Sequence, residues 1–122
     1  MRTRRCTQRT ITGRLAKAGE FLDDAELPAG DPARRHSAAG LYVDAGIAES
    51  DVICCRTLGE HAQGQDHNDA IRLLARVDRD RSRDLAVLLT NKSLISYSAE
   101  TLSATEFKKV QRAAIRLVDA AR

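Results

Sequence analysis

Aromatic residues are scarce in this chain: two Phe, two Tyr and no Trp among 122 residues. No stretch alternates apolar and polar residues convincingly, so nothing in the pattern argues for a β-sheet protein. Prolines number only two, Pro28 and Pro32, which leaves long segments free of helix breakers. Cysteines number three, Cys6, Cys54 and Cys55. An odd count with two adjacent members does not form a disulfide framework, and no Cys-x-x-Cys zinc spacing exists. That usage points to a reducing, cytoplasmic setting. No apolar run reaches spanning length and no signal-like apolar region exists, so neither a membrane helix nor a membrane partner is expected. No motif calls for a cofactor or a metal.

What is abundant is Ala, Leu and Arg. Ala and straight-chain side chains lose little rotamer freedom in a helix, so the composition favours helix. The formal net charge is +3, but it is unevenly spread. Residues 1–17 hold Arg2, Arg4, Arg5, Arg9, Arg14 and Lys17 and no acid. The remaining fourteen basic and seventeen acidic side chains leave a body of net charge −3. The expectation is a basic disordered tail over 1–11, followed by one domain over 12–122. Through Arg2, Arg4, Arg5 and Arg9 such a tail can hold nucleic-acid phosphates. The acidic body offers no broad basic groove.

Periodicity predicts five helices. The first runs from Thr12, its cap, to Glu26, with Leu15, Ala18 and Leu22 in a stripe. The second runs from Pro32 to Leu58, where Ala38, Leu41, Ala45, Ala48, Val52 and Cys55 form one face. Gly40 and Gly46 cost helix stability, and close packing is the expected reason for them. Gly59 closes that helix in a left-handed conformation. A polar loop over 59–68 leads to a third helix starting near Asp66 to Asp69. The run Asp78-Arg-Asp-Arg-Ser-Arg-Asp84 reads as a solvated connection. A fourth helix spans Ser82 to Ser96, and Ser103-Ala-Thr-Glu106 opens a fifth as a capping box. The expected architecture is an all-α, up-and-down bundle of four core helices, with the first as an addition or a dimerisation arm.

The stretch from Ala38 onward, above all DVICCRTLGEHAQGQDHNDAIRLL at 51–74 and LLTNKSLISYSAETLS at 88–103, resembles the HEPN superfamily of helical bundles. It is most similar to short actinobacterial members of undefined function. The resemblance implies a HEPN-like homodimer in a stress, defence or toxin–antitoxin context. RNA or a nucleotidyltransferase-like protein would be its partner. Many members are metal-independent ribonucleases built on Arg-x4–6-His, often with a following Tyr. The Arg stabilises phosphate charge and the His moves protons near neutral pH. By position the motif falls at NKSLISY, 91–97, where Lys92 stands for the Arg, Ser96 for the His, and Tyr97 for the Tyr. Lysine lacks the bidentate fork and serine does not shuttle protons at neutral pH. The resemblance therefore implies a binding or partner protein first and a ribonuclease using Lys92 and Tyr97 second. Arg56 and His61 satisfy the spacing literally, but after the second helix.

Other candidates have two readings each. Asp66 and His67, with His61, combine a carboxylate and imidazoles in one polar loop as a binding site, or Asp66 or Asn68 simply caps the third helix while the histidines are solvated. Asp51 pairs with Lys92 or with an Arg of the adjacent hairpin, as an ion pair or a site residue. Cys54 and Cys55 are expected in the core. Tyr97 is expected as a buried ring with its hydroxyl tied to backbone, or as a ligand contact.

Overall fold

A computed structural model describes residues 1–64 and 66–122. It is an all-α bundle with one small two-stranded ribbon. The elements are β1 (Thr3–Arg5), α1 (Gln8–Glu26), a 3-10 turn (Pro32–Arg34), α2 (Arg35–Leu58), β2 (Glu60–Ala62), α3 (His67–Ala75), α4 (Arg79–Tyr97) and α5 (Ala104–Ala121).

Short polar side chains set most of the helix starts, because each accepts a hydrogen bond from a backbone N–H that has no partner in the first turn. Thr7 and Thr10 cap α1 reciprocally. Asp31 accepts from the Ala33 N–H, with Pro32 opening the 3-10 turn that leads into α2. Asp66 accepts from the Asn68 N–H at α3, Asp78 from the Arg81 N–H at α4, and Ser103 from the Glu106 N–H at α5. Gly59 ends α2 at φ +73°, as its position after Leu58 suggests.

Three boundaries differ from expectation. The first helix starts at Gln8, capped by Thr7 and not Thr12. The charged run from Asp78 is no connection: it is the cap and first turn of α4, and its Asp84 is buried. Arg81 Nε lies 3.0 Å from Asp84 Oδ2, and Arg116 Nη2 lies 2.8 Å from Oδ1. Alternating charge marked an exposed face, but Arg116 of α5, 32 residues on, turns one of those acids inward. The third difference is the N-terminus. Residues 3–5 are not a disordered tail but a strand, antiparallel to β2, with Arg4 opposite His61.

A disulfide joins Cys6 to Cys55, which corrects the expectation of three unpaired thiols. The pairing was hidden because its two partners lie 49 residues apart in sequence. Cys54 stays free and buried, as expected of a core thiol.

Helix α2 is the hub. It touches α1 along most of their length and also α4 and α5. It is therefore buried on several sides, not along one face: Tyr42, Val43, Glu49, Ile53 and Cys54 are buried as well as Ala38, Ala45 and Val52. The first helix thus packs on its own bundle, with Ala18 and Ala25 fully buried. Amphipathic α5 closes the core with Phe107, Val110, Ala114 and Leu117. Two polar contacts lie inside: Gln111 Nε2 donates to the Tyr42 hydroxyl at 3.0 Å, and Arg122 pairs with Oε1 of fully buried Glu49 at 3.0 Å, while Glu49 Oε2 accepts no hydrogen bond among the described residues. Among the described residues, no helix is long and apolar enough to cross a membrane.

Candidate functional site

A cavity of about 610 Å³ lies where α2, α3 and α4 meet the chain after β2. Its apolar wall comes from Ile47, Ala70, Leu85 and Leu89. Its polar lining includes Asp51, Asp66, His67, Lys92 and Tyr97, drawn from three helices and a loop. These five residues were candidates from the sequence, and folding brings them to one place.

The carboxylates are already engaged. Asp51 Oδ2 lies 3.2 Å from Arg14 Nε, close enough for an ion pair although not aligned as a hydrogen bond. The partner is thus an arginine of α1, neither Lys92 nor an Arg of the adjacent hairpin. Burial pushes the Asp51 carboxyl above its ordinary value, opposed by the charges of Arg14 and His61. Asp66 spends one oxygen on the Asn68 N–H at 2.9 Å, which bears out its capping role.

Lys92 has no carboxylate at ion-pair distance among the described residues. It sits between the cavity and a smaller cleft lined by Asp44 and Ser96. Burial raises the Asp44 carboxyl, and the Lys92 charge pulls it back. Ser96 does not line the main cavity; it faces the clefts shared with His36 and Gly40. Lys92 and Ser96 therefore share only the minor cleft.

Tyr97 is not the buried ring expected. It is 86% exposed at the end of α4, where the helix stops and no later segment covers it. It stands at the cavity mouth. His67 is exposed in the first turn of α3, as a solvated histidine would be. His61 is the opposite case: it is buried, and its Nδ1 lies 2.9 Å from the Ala62 carbonyl oxygen. The solvated reading of His61 fails because β1 pairs beside it. Arg56 reaches the Ala121 carbonyl on α5, so it and His61 point to different neighbours.

No family model, no curated protein and no solved structure matches this chain.

Several lining groups had no signal in the sequence. Ser50 and Ser93 line the cavity beside Asp51 and Lys92, and Ala62 and Gly64 form its loop wall. The Ser50 hydroxyl donates to the Ile47 carbonyl at 2.8 Å, leaving its oxygen as an acceptor. Arg2, Arg4, Arg5 and Arg9 are exposed, but Arg4 and Arg5 lie on β1, Arg9 on the first turn of α1, and Arg2 just before β1 with its carbonyl held by the Gln63 N–H. Among the described residues no group of three or more His, Cys, Asp or Glu is disposed to hold a metal ion.

Proposed function

We propose that this chain is a HEPN-like binding protein, acting as a homodimer through the cavity between α2, α3 and α4, without efficient catalysis. Its setting is cytoplasmic, in stress, defence or toxin–antitoxin biology, with RNA or a nucleotidyltransferase-like protein as partner. The observation that carries this reading is the state of the lining groups. Asp51 is committed to Arg14 and Asp66 to the α3 backbone, while Lys92 and Tyr97 remain available for contacts. A cavity with an apolar wall and a few convergent polar groups suits binding. Each carboxylate already has a partner within the protein, Arg14 for Asp51 and the Asn68 N–H for Asp66.

One observation favours a second reading, a metal-independent endoribonuclease. His67 lines the same cavity as Lys92 and Tyr97, and an imidazole is the usual general base near neutral pH.

Labelled RNA incubated with the protein and a chelator separates the two. Binding without cleavage is expected. Cleavage that falls by about 10²–10⁴-fold in His67→Ala, or in the Lys92→Ala, Tyr97→Phe double variant, makes the protein a ribonuclease and overturns the first reading. Light scattering that finds only monomer at micromolar concentration overturns the homodimer.

A further inference from the structure

The wall of the cavity formed by Ala62 and Gly64 is attached to the rest of the bundle in an unusual way. It continues directly from β2, whose strand partner among the described residues is β1. Three contacts beyond the ladder tie the two segments together. The Cys6 N–H donates to the Gly59 carbonyl at 2.9 Å, the Gln63 N–H donates to the Arg2 carbonyl at 2.8 Å, and Thr3 Oγ1 donates to Glu60 Oε2 at 3.2 Å. Among the described residues the one disulfide is Cys6–Cys55, which joins the end of β1 to the last turn of α2. An isolated two-stranded ribbon is marginal in water, and this one has three residues per strand. The disulfide therefore adds a covalent clamp to a ribbon that is weak by itself.

We propose that Cys6 and Cys55 form a reversible thiol–disulfide latch that fixes the β1–β2 wall of the cavity when oxidised and releases it when reduced. The inference rests on the cavity being the binding site. In reducing compartments disulfides are commonly transient and redox-sensing, which fits the proposed cytoplasmic setting.

The chemistry needs only a peroxide and a dithiol. The Cys6 thiolate attacks a peroxide oxygen, releasing hydroxide and leaving a sulfenic acid; the Cys55 thiol displaces water from that sulfur, forming the S–S bond. Two electrons pass to the peroxide in all. In reverse, one thiolate of a dithiol attacks Cys6 Sγ, Cys55 leaves as thiolate and takes up a proton, and the second thiol of the reductant closes its own disulfide, freeing the Cys6 thiol. Cys6 is the half-buried partner, while Cys55 is buried. Neighbouring Cys54 does not compete. It is buried, and burial together with the Asp51 charge pushes its thiol up to about 12, so it holds little thiolate.

The test is amide hydrogen exchange on the full chain, oxidised and after dithiothreitol. Reduction is expected to speed exchange at Gln63 and across residues 60–63 at least tenfold, while the buried turns of α2 and α5 remain strongly protected. Cys6→Ser should exchange quickly in both conditions, and Cys54→Ser should keep the full response. Equal exchange in the two states, or alkylation of Cys6 in peroxide-treated native protein, overturns the latch. The affinity for a short single-stranded RNA, measured in both states, gives the second readout, expected to change at least threefold. An exchange response without any change in that affinity breaks the link between latch and site. Absence of RNA binding in both states counts against RNA as the partner in the proposed function, and the exchange result still judges the latch.

Discussion

Gly46 carries a larger constraint than its size suggests. A Cβ built there would overlap Cδ1 of Leu88 and lie 3.3 Å from Cδ1 of Leu117, and both leucines are fully buried. Gly40, six residues earlier on α2, would meet only Ile95 Cγ2 at an ordinary 3.7 Å. The two glycines should therefore respond oppositely to alanine. Gly40→Ala should stabilise by up to about 1 kcal/mol, the helix-propensity difference. Gly46→Ala should gain the same propensity but lose about 1–3 kcal/mol to overpacking, for a net loss. Urea midpoints of the two variants check this. Glu49 makes a second residue-scale case. Burial raises its carboxyl above the ordinary 4.5, although Arg122 and Arg56 pull it down. The folded state thus holds that proton more tightly than the unfolded chain. The associated stability is full below the unfolded value and lost as pH rises through the raised folded value. Glu49→Gln does not titrate, so its stability relative to the native chain should climb as pH rises from the ordinary 4.5 through the raised folded value. Urea unfolding of both proteins across that range measures the difference, and a flat difference contradicts the assignment.

At the scale of elements, the caps were the most legible feature. Gly59 closes α2 and Ser103 caps α5 where sequence rules put them, and Asp66 takes the α3 cap over its rival Asn68, because a cap depends on residues within three positions of itself. Ser103→Ala should cost about 1 kcal/mol, read from urea denaturation, by leaving the Glu106 N–H without its acceptor. The rules failed where a distant segment intervened. Thr12 looked like a cap, but Thr7 and Thr10 form a better one upstream, and the chain before them is held by strand pairing. Strand β1 has no alternating signal, since three residues are too few to carry one, and its pairing with β2 spans most of the first half of the chain. The run from Asp78 looked solvated because its charges alternate, yet Arg116 compensates Asp84 from another helix.

For the whole molecule, the disulfide is the strongest lever. It closes a loop of 49 residues, for which chain-entropy reasoning gives about 4 kcal/mol of stabilisation over the reduced chain. Urea midpoints in oxidising and reducing buffer should differ accordingly, and Cys55→Ser should match the reduced protein. The bundle itself is held by the α2, α4 and α5 core, so helical content should survive reduction under native conditions.

The residues of the cavity divide by the range of the force that places them. The sequence by itself determined that the chain is helical, where most helices begin and end, and which polar side chains deserved suspicion. These properties follow from rotamer entropy, backbone donors and periodicity, which act over a few residues. Only the tertiary structure decided that Asp51, Asp66, His67, Lys92 and Tyr97 share one cavity, that Arg14 takes Asp51, that His61 is buried, and that Cys6 meets Cys55. Each of those depends on which helix faces which, and so on the packing of small side chains around α2, which no local pattern specifies.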